Sequence, residues 1–221
     1  MKVCTDACLF GAWATKQIAK YKADVKTILD IGTGTGLLSL MLGQKFVAEI
    51  DAVEIDADAA VQAADNIAAS PWKKIQVHNI SIDEFEIEKK YDIIISNPPF
   101  FENDLLSPNS QRNTAMHNRY FSFDMLLQSI NKHMAPDGFA AVLLPYSRLS
   151  YFKELLLKKG LSLVEVANVR QSVDHGCFRS MAIISQKLCR DAVVSEFSIH
   201  NGQRAYTTEF KELLADYYLN L

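Results

Sequence analysis

The chain has 221 residues, enough for one domain of ordinary size, and 49% of them are hydrophobic against 22% charged, so it can bury a substantial core. Its 23 Lys and Arg against 26 Asp and Glu give a formal charge of −3, which excludes a uniformly basic nucleic-acid coat but not a local basic face. No apolar run reaches the ~18 residues of a membrane span, and the first twenty residues, with Asp6, Trp13 and Lys16, lack the layout of a signal peptide, so a cytoplasmic globular protein is expected.

Residues 1–22 form the first unit, with Asp6 to Lys20 reading as a helix packed ahead of the first strand. The run Thr27 to Ile31 predicts a strand, followed by a glycine cluster and a helix from Leu37 to Leu42. Glu49 to Ile55 reads as the second strand, and the alanine-rich stretch Ala57 to Ala69 as a helix that stops before Pro71. Lys74 to Val77 is a third strand. Tyr91 to Ser96 is an apolar run of the kind buried on both faces of a parallel sheet. A helix is predicted over Phe121 to Met134 and a buried strand over Gly138 to Pro145. Leu161 to Val169 and Ser180 to Gln186 read as strands that can pair as a hairpin, and Thr207 to Tyr218 as a closing helix. Strands alternating with helices predict a doubly wound α/β sheet, and no linker divides residues 1–221.

The four cysteines form no CxxC pair. Cys4 and Cys8 would share a helical face if their segment is helical, but no nearby histidine completes a metal set, so all four are expected to be at least partly buried free thiols. No metal is expected.

In open α/β sheets, ligands bind beyond the carboxyl ends of the strands, where the strand order reverses. Three chemically loaded segments fall at such ends: residues 30–36, 53–56 and 96–100. In Asp30-Ile31-Gly32-Thr33-Gly34-Thr35-Gly36 the glycines permit positive φ and close approach of a ligand to the backbone. The loop has no basic residue for a pyrophosphate and no phosphate-cradling lysine, while Asp30 suits a cationic or amino-bearing ligand. S-adenosylmethionine, with its sulfonium and α-amino group, fits that acid. A tight strand–helix turn with no ligand is the plain alternative. Eighteen residues past Gly36, Glu54 ends the second strand, where a carboxylate can accept from both hydroxyls of a ribose. Asp56 reads as a helix cap. Asp30, Gly32, Thr33, Gly34, Gly36 and Glu54 together read as a nucleoside-cofactor site, with NAD the less favoured occupant.

Ser96-Asn97-Pro98-Pro99-Phe100 follows the strand directly. Two successive prolines hold a rigid extended turn and remove two N–H donors. An amino group conjugated into an aromatic ring is a poor nucleophile. Two acceptors pulling on its hydrogens, the Asn97 side chain and the Pro98 carbonyl, shift it toward sp³ and free its lone pair. Phe100 offers a face on which the ring can stack, at about 1–3 kcal/mol per base. A proline stop after a strand is the bland alternative.

With these residues in view, the chain resembles the amino-group branch of the class I S-adenosylmethionine-dependent methyltransferases. It is most similar to the family that methylates adenine 37 of valine tRNA at N6. Met1 to Asp6, Leu9 to Trp13, Ser70 to Trp72, Asn97 to Phe101, Arg112 to Ala115 and Tyr206 to Tyr218 follow that family's pattern, which spans nearly the whole chain. The resemblance implies a mostly parallel, seven-stranded Rossmann-like sheet with an antiparallel strand near the C-terminus. It also implies S-adenosyl-L-methionine as cofactor and the anticodon loop of a tRNA as substrate, with no membrane and no obligate protein partner. The chain departs from the family in three places. A segment usually found upstream of the stretch matching Met1 is missing, Cys4 stands where glycine is usual, and Asn79 replaces an aspartate that meets the cofactor's adenine amino group. Asn79 can still accept through its side-chain oxygen, or be a plain loop residue.

Residues 101–120 form a long irregular stretch leaving directly from the Asn-Pro-Pro-Phe segment, and loops of that length in a compact domain are commonly functional. Phe101, Arg112, His117 and Arg119 are its candidate substrate contacts, the arginines toward phosphates; His117, a lone histidine in a loop, reads first as a surface residue. The Asn-Pro-Pro-aromatic motif is also found in DNA adenine, rRNA guanine and protein glutamine methyltransferases. Transfer to a protein glutamine, or cofactor binding without catalysis, are therefore the rival readings.

Overall fold

The computed structural model describes residues 4–99 and 122–220. Phe100, Phe101, Arg112, His117 and Arg119, and with them the whole 101–120 segment, lie outside the described residues.

The chain begins with α1 (Thr5–Tyr21), then β1 (Thr27–Ile31), α2 (Leu37–Lys45), β2 (Glu49–Glu54), α3 (Ala57–Ala69), β3 (Ile75–Asn79) and β4 (Tyr91–Ser96). After the undescribed stretch come α4 (Phe123–His133), β5 (Met134–Pro145), a short 3₁₀ turn (Tyr146–Arg148), α5 (Leu149–Lys158), β6 (Ser162–Ser172), β7 (Cys177–Ser185), β8 (Val193–His200) and α6 (Thr208–Leu214). One sheet runs in the order β3-β2-β1-β4-β5-β7-β6-β8, and β7 alone is antiparallel to its neighbours. The mostly parallel sheet with an antiparallel strand near the C-terminus is therefore present, with eight strands among the described residues where seven were expected. The extra strand is β8, paired in parallel with β6 at the sheet edge. The expected hairpin pair, β6 and β7, does form.

Both faces of the sheet are covered, which is why its central strands read as unbroken apolar runs. Along β4, Ile93 and Ile95 join one core with α1, α2 and α6, while Ile94 joins the other with α4 and α5. Alternation continues in β5, with Ala141 and Leu143 on the first face and Ala140, Val142 and Leu144 on the second. α1 lies close on α2 because residue 11 is glycine: a Cβ there would sit 2.6 Å from the Met41 sulfur. α3 starts at Asp56, whose side chain accepts from Ala59 N (2.8 Å), the capping role expected for it.

One expectation about the thiols is corrected. α1 starts at Thr5 with Cys4 in extended backbone at its N-cap, so Cys4 does not share a helical face with Cys8, and it is exposed. Cys8 is buried and burial pushes its thiol up. Among the described residues no helix is long and apolar enough to cross a membrane.

Candidate active site

The sheet order reverses between β1 and β4: β2 and β3 extend it to one side of β1, and β5 to the other side of β4. Ile31 at the end of β1 is in register with both Val53 of β2 and Ser96 of β4, and Glu54 is in register with Asn79 of β3. The glycine loop, Glu54, Asn79 and Asn97 thus leave one edge of the sheet, at its switch point. Ser96 ties β4 to β1 by donating its hydroxyl to the Ile31 carbonyl (2.9 Å).

Asp30 anchors the loop from below. It is fully buried; Oδ2 accepts from Thr33 Oγ1 (2.6 Å) and Ser39 Oγ (2.7 Å), while Oδ1 is buried with no partner among the described residues. Burial raises its carboxyl to about 6 against the pull of those two hydroxyls. Thr33 was among the expected residues. Ser39, in the first turn of α2, was not, and only a hydroxyl placed one helical turn beyond the loop hinted at it.

The loop's shape depends on its glycines. Gly32, Gly34 and Gly36 have φ of +72°, +58° and +84°, a region that side-chain-bearing residues seldom adopt. A Cβ on Gly36 would also touch Ala63 of α3 at 3.5 Å. Gly32 and Thr33 donate their N–H groups to the Val53 carbonyl (2.9 and 3.1 Å), and Asn66 of α3 donates its amide to the Thr35 carbonyl (2.9 Å). Glu54 holds the other side: Oε2 accepts from Gly34 N (2.8 Å) and Oε1 from Asp56 N (2.9 Å). Each oxygen keeps a further lone pair, so the carboxylate can still accept from a ligand. Asn79 donates its amide to the carbonyls of Glu54 and Ile55 (2.9 and 3.2 Å), which leaves Oδ1 as its acceptor. Ile55, between Glu54 and Asp56, is 73% exposed, an apolar side chain at the same edge that the sequence reading passed over.

Across the switch point, Asn97 is half-buried and Pro98 buried. Asn97 Oδ1 is the second buried acceptor on this edge with no partner among the described residues. A buried acceptor left unmatched costs about 1–3 kcal/mol, so Asp30 Oδ1 and Asn97 Oδ1 mark positions where a donor on a ligand is favoured.

Comparison with known proteins gives the family. The family model for the methyltransferase small domain matches residues 15–117. A tRNA1(Val) (adenine(37)-N6)-methyltransferase of Dyadobacter fermentans is 39% identical over 99% of this chain and 91% of its own length. The chain belongs to that family. The tRNA1(Val) (adenine(37)-N6)-methyltransferase of Phocaeicola vulgatus, a second relative, is 38% identical over 100% of this chain and 92% of its own. Among solved structures, a class I S-adenosylmethionine-dependent methyltransferase of Listeria monocytogenes superposes with a TM-score of 0.65 at 15% identity, over 86% of this chain and 64% of that one, a likeness of fold. The family's cofactor fits the edge: a buried acid with a bare oxygen, a glycine loop open to close approach and a carboxylate at the end of β2.

Proposed function

We propose that this protein transfers a methyl group from S-adenosylmethionine to N6 of adenine 37 in valine tRNA, acting as one methyltransferase domain over residues 1–221 in the cytoplasm. The observation that carries this reading is the pair of unpartnered buried acceptors, Asp30 Oδ1 and Asn97 Oδ1, on either side of the switch point. It is joined by full-length similarity to tRNA1(Val) (adenine(37)-N6)-methyltransferases.

The cofactor, when bound, supplies an electrophilic methyl group on a sulfonium. Asp30 provides negative charge for its cationic end, and the open backbone at Gly32, Gly34 and Gly36 lets it approach closely. Glu54 accepts from the ribose hydroxyls while continuing to hold Gly34 N. Asn79 Oδ1 and the exposed Ile55 serve the purine, one as acceptor and the other as apolar face.

Asn97 Oδ1 and the Pro98 carbonyl accept the two hydrogens of the target amino group and draw it out of conjugation with its ring, so that its lone pair can attack. Phe100 stacks on the adenine. The methylated amine loses a proton to water afterwards, so no strong base is required. Phe101, Arg112, His117 and Arg119 serve the substrate side. A base stacked in a helix cannot reach Asn97, so the enzyme takes a loose or flipped nucleotide, which an anticodon loop offers at low unstacking cost.

The test is mass spectrometry of nucleosides from valine tRNA incubated with the enzyme and labelled cofactor. Label in N6-methyladenosine, abolished when adenine 37 is replaced by guanine, is the expected result. Equal labelling of the guanine variant moves the site elsewhere, and label in protein alone favours a glutamine acceptor.

A further inference from the structure

Beyond the switch point the same sheet edge continues for four strands. Ser96 of β4 is in register with Val142 of β5, and β5 runs on to Pro145, which faces Arg179 of β7. Arg179 in turn faces Val169 of β6, Arg170 of β6 faces Ser198 of β8, and Ser172 faces His200. Because β6 and β8 run the same way as β4, and β7 runs opposite, the ends of β5, β6 and β8 and the start of β7 all lie on the edge that carries Asn97. Four inter-strand spacings of about 4.8 Å place the end of β8 about 19 Å from β4 along this edge.

The ridge carries four arginines and several aromatic rings, with two of the arginines held in ion pairs. Arg179 donates to Asp6 at the start of α1 (3.0 Å), and its guanidinium lies 5.5 Å from the centre of the Phe178 ring. Arg170 is fixed by Glu196 (2.7 and 3.1 Å) and the His175 carbonyl (3.1 Å). Tyr146 and Arg148 stand just past the end of β5, Tyr146 exposed. The far end is the turn 201–205. Asn201 Oδ1 accepts from Gln203 N (2.9 Å) and Ala205 N (3.1 Å), and the Asn201 and Ala205 backbones bond each other (2.8 Å). Below the turn the rings of His200, Tyr206 and Phe210 stack at 4.9 and 4.5 Å. This well-tied turn holds Arg204, exposed, at φ +64°, the one non-glycine positive φ among the described residues. Strain kept at an exposed arginine, in a turn where glycine would be at ease, points to a use for the side chain.

We infer that the ridge from Tyr146–Arg148 to Arg204 is the track on which the tRNA backbone lies while its reacting nucleotide sits at Asn97. Arg204 is the outermost phosphate contact. The inference rests on the reading of the chain as a tRNA methyltransferase. With a net charge of −3, affinity for a polyanion must come from one local face, and this face is continuous with the active site. Of the acids on the ridge, Asp6 and Glu196 are already held by arginines, while the Asp174 carboxylate stands beside Gly202.

The experiment measures tRNA binding by anisotropy over a series of salt concentrations, with cofactor binding by calorimetry and melting temperature on the same samples. Arg204→Glu and Arg148→Glu should each weaken tRNA binding five- to twentyfold and lower the slope of log affinity against log salt by about one, with cofactor affinity unchanged. Arg204→Gly separates binding from folding: it relieves the positive φ, so its melting temperature holds or rises while tRNA affinity falls. Unchanged tRNA affinity in the Arg204 variants, with a wild-type enzyme that methylates tRNA, overturns the ridge and leaves the activity standing. A wild-type enzyme that neither binds nor methylates tRNA overturns the activity itself.

Discussion

At the scale of single residues, the active edge is built from groups that the fold leaves half satisfied. Asn97 makes no hydrogen bond through Oδ1 in the described structure, so removing it leaves the fold intact and strips the target amine of an acceptor. Asn97→Ala should keep cofactor affinity within about threefold and cut turnover by ~100-fold or more, read from single-turnover methyl transfer. Asp30 gives a different signature. Its carboxyl is raised to about 6 by burial, and a cationic ligand favours its ionised form. Cofactor affinity should therefore be flat above pH ~6.5, fall as the pH drops through 6, and be accompanied there by release of a proton from the protein to buffer. Calorimetry in two buffers of different ionisation enthalpy measures that proton directly, and Asp30→Asn should abolish its release along with most of the affinity.

At the scale of elements, Glu54 links a strand end to a loop. Its two oxygens hold Gly34 N and Asp56 N, so it shapes the glycine loop as well as offering lone pairs to a ligand. Glu54→Ala should weaken cofactor binding by at least tenfold, since each hydrogen bond to a charged acceptor is worth ~1.5–3 kcal/mol, and it should speed amide exchange at Gly34. Slow Gly34 exchange in that variant would show that the loop holds itself. Much of this arrangement was legible in advance, because Asp30, the glycines, Glu54 and the Asn-Pro-Pro turn each sit at the end of an apolar run whose period is unmistakable. The strand β8 was not. Only Phe197 and Ile199 of its eight residues are buried, and an edge strand with Val193 to Glu196 exposed carries no full alternation. Ser39 and Ile55 escaped because a hydroxyl or an isoleucine takes its meaning from what the fold sets beside it. Cys4 was misjudged because α1 starts one residue later than the spacing argument required.

At the scale of the whole molecule, charges buried away from the active edge govern stability. Asp51 of β2 is held by Lys89 (2.8 Å), His78 (2.7 Å) and the Tyr91 hydroxyl (3.0 Å); burial raises its carboxyl, but these three partners outweigh burial and lower it. Asp51→Ala would leave the buried Tyr91 hydroxyl without its acceptor and Lys89 with Glu49 alone, costing about 1–3 kcal/mol in chemical denaturation. His133 is buried with neither ring nitrogen partnered among the described residues, and desolvation lowers its imidazole to about 4. Its neutral form is the folded form, so the stability it contributes is whole above pH ~6.5 and is lost as pH falls from there toward 4. His133→Leu should flatten the denaturation midpoint against pH over that window, and an unchanged profile would assign the acid sensitivity to the carboxylates.

The insertion of β7 between β5 and β6 also bears on how the protein is made. During synthesis β6 emerges before β7, yet its place in the sheet is beside β7, and it has no strand contact with β5. Until Cys177–Ser185 leaves the ribosome, β5 is an open edge whose Ala140 to Leu144 are destined for complete burial. The nascent chain therefore carries a sticky, unpaired strand while residues 146–185 are translated, about 2–8 s at about 5–20 residues per second. That interval is when this protein is most exposed to chaperone capture and to aggregation, and translation pauses before Cys177 would lengthen it.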